Sequence, residues 1–368
     1  MKHLQPWIAC AIICFFVFST DSNAQIKTPA TSQKATVSQT VGISDITITY
    51  SRPSVRGRKI WGTPLAHYGF QNLGFGTSTA APWRAGADEN TVITFTHNAT
   101  VEGKAIKAGT YGLHIALAED NTATIIFSEN STSWGSYFYD ENEDALRVKV
   151  TTKEIAHTEL LTYQFTAVDA TSATVALQWE KKEIPFKIGF DVPSIVMNDI
   201  SNTLRDGKGF NRQAWENAAQ YAFSIGNMEK ALEWINNAQE GWFFSQKTFA
   251  NAQIKSAILK QMGKPNEAIA EMESVFDQAT AIELHGYGRQ LLAGGNLKKA
   301  EEVFKINAKE NNNAWPTQYG LGRLYSAKGD YKKAIKYLEK ALKNAPNPAS
   351  KANVQANIEK LKKGEDIN

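Results

Sequence analysis

Apolar and polar residues alternate with a period of two over much of residues 36–192, and after Pro193 the apolar positions recur every three to four residues. The first pattern predicts strands and the second predicts helices. "ITITY" (46–50), "TVITFTH" (91–97), "YGLHIAL" (111–117) and "TATIIF" (122–127) are β-branched and aromatic. "LRVKV" (146–150), "ELLTYQFTAV" (159–168), "TVALQW" (174–179) and "PFKIGF" (185–190) continue the series. Turn residues separate them at 102–104, 107–109, 119–121 and 169–172. Eight or nine short strands without an intervening helical pattern predict an antiparallel β-sandwich over residues 36–192. One interruption, residues 57–88, is long and rich in glycine, proline and aromatics; loops of that length are functional or poorly ordered as a rule.

The helical half repeats. An alanine follows a glycine by five residues four times, as Gly226/Ala231, Gly263/Ala268, Gly295/Ala300 and Gly329/Ala334, with glycine spacings of 37, 32 and 34 residues. A helix-turn-helix repeat near 34 residues has the tetratricopeptide length. The last unit carries Leu321, Gly322, Tyr325, Leu338, Ala341 and Pro346 at the expected offsets; the first carries Trp215, Ile235 and Ala238, and the third Gly288 and Phe304. The second unit departs, with Lys255 where a large apolar residue is usual. The prediction is a solenoid of about four units over residues 198–348, closed by a capping helix and tail at 349–368 through Val354, Ile358 and Leu361.

At the N-terminus, Lys2 and His3 precede an apolar run from Trp7 to Phe18, and Ser22-Asn23-Ala24 has the small-x-small pattern of a cleavage site. Residues 1–24 therefore read as a signal peptide, followed by a flexible segment at 25–35, and the protein is expected to be exported, periplasmic or secreted. No later segment has the roughly 18 apolar residues of a membrane helix. Cys10 and Cys14 leave with the leader, which excludes thiol nucleophiles and disulfides from the mature chain. Lys plus Arg against Asp plus Glu is 16 to 18 before residue 198 and 24 to 19 from there on. So small a bias gives no support for nucleic-acid binding.

The β half carries a set of motifs in order: "YSRPSVRGRKIWG" (50–62), "PWRAGADENT" (82–91), "AGTYGLH" (108–114), "IIFSEN" (125–130), "WGSYFYD" (134–140) and "DALRVKV" (144–150). In these it resembles a bacterial family catalogued as domain of unknown function 2911, over most of residues 33–190. The resemblance implies an exported protein whose β domain is followed by tetratricopeptide-like helices, and it implies no activity.

Chemistry has several candidate carriers. Arg52, Arg56, Arg58, Lys59, Arg84 and Arg147 can converge on an anion, because guanidinium forks match carboxylate and phosphate. The structural alternative is that Arg52 and Arg84 pair with Asp88, Glu89 or Asp144 and lock the long loop, leaving Arg56, Arg58 and Lys59 at the surface. Trp61, Trp83, Trp134, Tyr137 and Tyr139 can stack on sugar rings or plug the ends of the sandwich. Asp88, Glu89, Asp140, Glu141, Glu143 and Asp144 supply acids for glycoside hydrolysis, although "DENED" also reads as a solvated turn. The histidines His67, His97, His114, His157 and His285 stand singly, without metal-ligand spacing. No cofactor or metal is expected. Lys332, Lys333, Lys336, Lys340 and Lys343 read as the solvated face of the last repeat. The expectation is a binding protein whose repeats engage an envelope protein or peptide and whose β domain recognises a glycan or an anion. An envelope hydrolase acting on carbohydrate or peptide, through Glu89, Asp140 and Asp144, is the alternative.

Overall fold

The computed structural model describes residues 28–312 and 314–368; the expected leader lies outside them. The chain parts into two compact units between Val192 and Pro193.

The first unit is built of strands β1 (Gln33–Val41), β2 (Ser44–Arg52), β3 (Gln71–Asn72), β4 (Ala80–Ala81), β5 (Val92–Phe95), β6 (Ala99–Val101) and β7 (Lys104–Ile106). They are followed by β8 (Gly109–Leu117), β9 (Thr122–Ser128), β10 (Asp144–Thr151), β11 (Lys153–Val168) and β12 (Ser172–Gly189). One sheet has the order β1-β2-β5-β8-β9-β10, a second β11-β12-β6-β7, and β3-β4 is a separate hairpin. Alternation sets which face is buried. On β2, Ile46, Ile48 and Tyr50 point inward, while the outward Thr47 and Thr49 hydroxyls bond across to Ser38 and Thr36 of β1. The inner faces meet through aromatics: Phe127 lies 6.2 Å from Phe186, and Tyr50 lies 4.8 Å from Tyr163, whose backbone N–H donates to the Tyr50 hydroxyl. Each such side chain stabilises by about 1.5–3 kcal/mol on burial.

Three local expectations change. β1 begins at Gln33, inside the segment expected to be flexible. The turn at Glu102-Gly103 closes a hairpin of two three-residue strands, too short for a periodic signal. The runs at 174–179 and 185–190 belong to one 18-residue strand, irregularly paired with β11 and bent where Glu180 takes φ +52°.

The second unit holds helices α1 (Val192–Thr203), α2 (Arg212–Ser224), α3 (Met228–Gln239), α4 (Phe249–Gln261), α5 (Pro265–Glu273), α6 (Ala281–Ala293), α7 (Leu297–Glu310), α8 (Trp315–Ala327), α9 (Tyr331–Asn344) and α10 (Pro348–Lys362). The pairs α2/α3, α4/α5, α6/α7 and α8/α9 form a tetratricopeptide-like array. Gly226, Gly263, Gly295 and Gly329 close the first helix of each pair with φ between +75° and +83°, the left-handed turn that glycine adopts without strain. Ala231, Ala268, Ala300 and Ala334 are buried where the paired helices approach. The Phe304 ring fills the space that a Cβ on Gly288 or Gly320 would occupy. Asn227, Asn296 and Asp330 cap the second helices. Val354, Ile358 and Leu361 of α10 pack on α8 and α9.

Lys255 explains the departure of the second repeat. Its ammonium meets Gln239 Oε1 at 3.1 Å and Glu271 Oε2 at 3.5 Å, and Glu271 also holds Lys247 at 3.0 Å. Asn251 links this network to Glu216. A satisfied polar cluster replaces the usual apolar contact. No helix among the described residues is long and apolar enough to cross a membrane.

Candidate functional site

The long connection between β2 and β5, residues 53–91, is built into the sheet. β8 has nine residues and β5 only four, so β8 beyond Gly112 would leave main-chain groups unpaired on that side. The connection supplies the partners. Trp83 and Ile115 exchange two backbone hydrogen bonds, and the Gly69 N–H donates to Leu117 O at 2.8 Å. The β3-β4 hairpin then covers the outer face of the sheet, where Ala81 packs with Ala116, Ile126, Tyr139 and Leu73 in a small second core. Residues Tyr111 to Leu117 of β8 are consequently buried on both faces.

His114 lies inside this cover. It is 2 % exposed, and its Nδ1 lies 2.9 Å from the Ser136 hydroxyl, itself buried. Burial, with the Arg84 charge second, lowers its pKa to about 4. Its ring meets Tyr139 edge-on at 5.5 Å. The Tyr139 hydroxyl donates to Asp144 Oδ2 at 2.6 Å and accepts from Arg147 at 2.8 Å. Arg147 Nε donates to the same Asp144 oxygen. The Asp144 side chain is 6 % exposed, and burial raises its pKa against the opposing hydrogen bonds from Tyr139 and Arg147. Its other oxygen, Oδ1, is buried without a hydrogen-bond partner. The Arg147 guanidinium reaches the surface over the Phe70 ring, 5.5 Å from its centroid. There Phe70, Thr77, Thr79, Ala80, Tyr139, Asp140, Glu141, Asn142 and Arg147 line a cleft of about 550 Å³.

Of the residues expected to act, the cleft gathers Asp140, Glu141, Tyr139 and Arg147, with Asp144 behind them. Asp140 spends one oxygen on the Asn142 backbone and side-chain amides, capping the turn that precedes β10. Glu89 is elsewhere, 3.7 Å from Lys34 at the surface. The expected ion pairs of Arg52 and Arg84 with acids do not form. Arg52 donates to Leu161 O and the Thr162 hydroxyl, tying β2 to β11. Arg84 donates to the backbone carbonyl of Asp88, faces the Tyr137 ring at 4.9 Å, and is covered by Gly135, where a Cβ would sit on the guanidinium. Both arginines cross-link main chain. Arg58 donates to Val55 O and Ser54 O in its own turn, and Arg56 and Lys59 are exposed. Trp61 and Trp83 pack 5.9 Å apart, and each lies 6.1 Å from Trp179, at the end of the core. Trp134 is exposed and Tyr137 packs on Phe75. The "DENED" turn is solvated only in part, because Asp144 turns inward.

Residues 32–188 match the family model described as a protein of unknown function, DUF2911. Residues 315–348 match the tetratricopeptide repeat model. A comparison with curated proteins finds no match. Among solved structures, YrrB, described as a TPR protein with an unusual peptide-binding site, is 14 % identical with a TM-score of 0.30, covering 45 % of this chain and 84 % of its own. The C-terminal part of a TPR repeat-containing protein from Cytophaga hutchinsonii is 17 % identical with a TM-score of 0.35, covering 46 % and 67 %. A TPR repeats protein from Bacteroides fragilis is 20 % identical with a TM-score of 0.28, covering 46 % and 91 %.

Sequence reasoning missed Phe70, Thr77, Thr79 and Asn142 within the DUF2911 segment. The first three sit in the aperiodic connection, where no pattern says which residue meets which. In the helical unit a second concavity of about 480 Å³ lies among α4, α5 and α6. Ala257, Ile269, Met272, Tyr287 and Leu291 contribute apolar surface to it, and Lys260 and Gln290 lie at its rim. The lysines of α9 line a shallow surface, where Lys333 and Lys340 lie over Tyr325 and Tyr337. No group of three or more His, Cys, Asp or Glu side chains among the described residues is placed to hold a metal.

Proposed function

We propose that this is an exported envelope protein that acts by binding. Its tetratricopeptide repeats engage a protein or peptide, and its DUF2911 segment recognises a glycan in the cleft at Phe70 and Arg147. One observation carries the reading. The candidate acids already have partners: Asp144 is held by Tyr139 and Arg147, Asp140 by its turn and Glu89 by Lys34. The Phe70 ring of the cleft faces outward, and the Arg147 guanidinium, held by Asp144, Tyr139 and Glu141, stays half-exposed beside it. Asp140 and Glu141 outnumber Arg147 in that lining, which disfavours a strongly anionic ligand and suits hydroxyl donors. The leader pattern at residues 1–24 supports export, and the apolar concavity among α4, α5 and α6 supports a peptide segment.

The test is calorimetric titration of the purified protein with neutral oligosaccharides, beside Phe70→Ala and Arg147→Met. Binding that weakens about tenfold or more in each variant, with the oligosaccharide recovered intact, supports the reading. Cleavage of the oligosaccharide that Asp144→Asn abolishes would establish the hydrolase instead. That second reading is favoured by one feature, the raised pKa and unpartnered Oδ1 of Asp144.

A further inference from the structure

Most lysines on the second helices of the repeats meet acids. On α3, Lys230 pairs with Glu233, and on α7, Lys299, Lys305 and Lys309 pair with Glu273, Glu301 and Glu310. The last repeat differs. Lys332, Lys333, Lys336, Lys340 and Lys343 of α9 are all exposed, and none of them makes an ion pair among the described residues. At the turn of an α-helix these five positions fall within about 100° of the circumference and run over about 16 Å of the axis. They form one stripe.

Two acids, Asp330 and Glu339, stand beside the five cations. Asp330 is taken by the helix N-terminus, where it accepts from the Lys333 N–H at 3.0 Å. Lys332 and Lys336, and Lys336 and Lys340, are like charges four residues apart, an arrangement that weakens a helix. Lys333 lies 4.1 Å over the Tyr325 ring and Lys340 5.5 Å over the Tyr337 ring, and the two rings stack at 5.3 Å. This floor restrains two of the ammonium groups without neutralising them.

The surroundings of the stripe select its occupant. No large apolar side chain of residues 315–368 is exposed among the described residues, so the face has nothing to insert into a bilayer. The tyrosines lie under lysines and are closed to stacking bases. The ammonium groups at 332, 336 and 340 recur every 6 Å or so along the axis, about the 6.6 Å repeat of carboxylates on alternate residues of an extended chain.

We propose that the exposed face of α9 docks an extended acidic segment of a partner protein, whose alternate carboxylates meet Lys332, Lys336 and Lys340, with Lys333 and Lys343 beside them. The proposal rests on the reading of the repeats as a protein-binding array. It adds a second surface, selective for charge, to the apolar concavity among α4, α5 and α6.

The test is fluorescence anisotropy of the purified protein with a labelled peptide of about six Glu-Ser repeats, longer than the stripe, beside its Gln-Ser counterpart. The Glu peptide binds and the Gln peptide does not. Lys336→Gln/Lys340→Gln weakens binding about tenfold, with a melting temperature unchanged or raised, and a rise in salt from about 50 to 300 mM acts similarly. Lys107→Gln/Lys181→Gln removes the same charge from exposed lysines of the β unit and leaves binding unchanged. A Glu peptide that does not bind overturns the α9 site and leaves the protein-binding reading standing, because the apolar concavity does not call for acids. Equal weakening by the Lys107/Lys181 variant overturns it too, as an effect of net charge. Binding lost in Ile269→Ser and kept in the α9 variant moves the peptide to the concavity. Failure of the Glu peptide together with binding to vesicles of about 30 % phosphatidylglycerol, or to single-stranded DNA, that the α9 variant abolishes gives the face to another occupant.

Discussion

Two aperiodic, aromatic-rich connections interrupt this chain, and they end in opposite states. Residues 53–91 of the β unit are paired into the sheet through Gly69 and Trp83 and bury Ala81 against its outer face. Residues 240–248 of the helical unit leave Trp242 and Phe243 in the open. The difference comes from unsatisfied main chain. β8 outruns β5 and offers a row of free N–H and C=O groups that recruit the first connection along its length, whereas α3 offers the second only its C-terminal carbonyls, Asn237 O and Ala238 O, which take Ser245 and Gln246 and fix the base of the connection but not its tip. Aromatic content alone does not separate a cover from a projecting tip; the hydrogen-bonding demand of the neighbouring elements does.

The largest test of that contrast is a pair of truncations. Trp83→Ala removes a ring 3 % exposed and packed on Trp179, and is expected to cost about 3–5 kcal/mol in denaturant unfolding. Phe243→Ala is expected to stay within about 0.5 kcal/mol. Equal losses would end the comparison.

Acid should next weaken both units through buried imidazoles, of which His114 in the first and His285 in the second are the most strongly shifted, with His67 of the first also lowered by burial. His114 and His285 both have pKa values lowered to about 4, chiefly by burial, against about 6.5 in an unfolded chain. The unfolded state therefore takes the proton first. Their contribution is complete above about pH 6.5 and is lost as pH falls through about 4, by up to roughly 3 kcal/mol each. Melting measured from pH 7.5 to 4.5 should show this, and His114→Phe with His285→Phe should flatten the slope. A slope that the variants leave unchanged would place the titration elsewhere.

The smallest effect concerns the network at the second repeat. Glu271→Ala alone should cost about 3 kcal/mol, since it strands Lys255, which is largely buried. Lys255→Leu with Glu271→Leu restores an apolar contact, and its stability should lie within about 1 kcal/mol of the parent, or above it. A double variant as unstable as the single one would show that the network also fixes the helix geometry.

The repeat array was legible in the sequence because its packing is periodic. Gly226 and its three counterparts mark left-handed turns, and the paired alanines mark helix crossings. Most strands were legible for the same reason, through alternation such as Ile46, Ile48 and Tyr50. The cleft was legible only in part. Asp140 and Arg147 stood in recognisable motifs, but Phe70, Thr77 and Thr79 reach it through the cover, whose path depends on the unequal lengths of β5 and β8. Arg52 and Arg84 were expected to meet acids. Arg52 bonds instead to the Leu161 carbonyl and Thr162 hydroxyl of β11, and Arg84 to the Asp88 carbonyl of the connection, acceptors whose positions no sequence pattern announces. Even the departures were informative afterwards: Lys255 marks the polar network, and the spacing of 37 marks the exposed tip.

Amide hydrogen exchange in the connection at 53–91 tests the central claim most directly, because docking of that segment builds the cleft. Gly69, Thr77 and Trp83, whose N–H groups donate to Leu117, Tyr137 and Ile115 carbonyls, are predicted to be protected to the level of β8 and β9, while Phe243 exchanges quickly. Rapid exchange at Gly69, Thr77 and Trp83, matching Phe243, would contradict the account, since the cover would then be an open loop and the cleft would have no fixed wall.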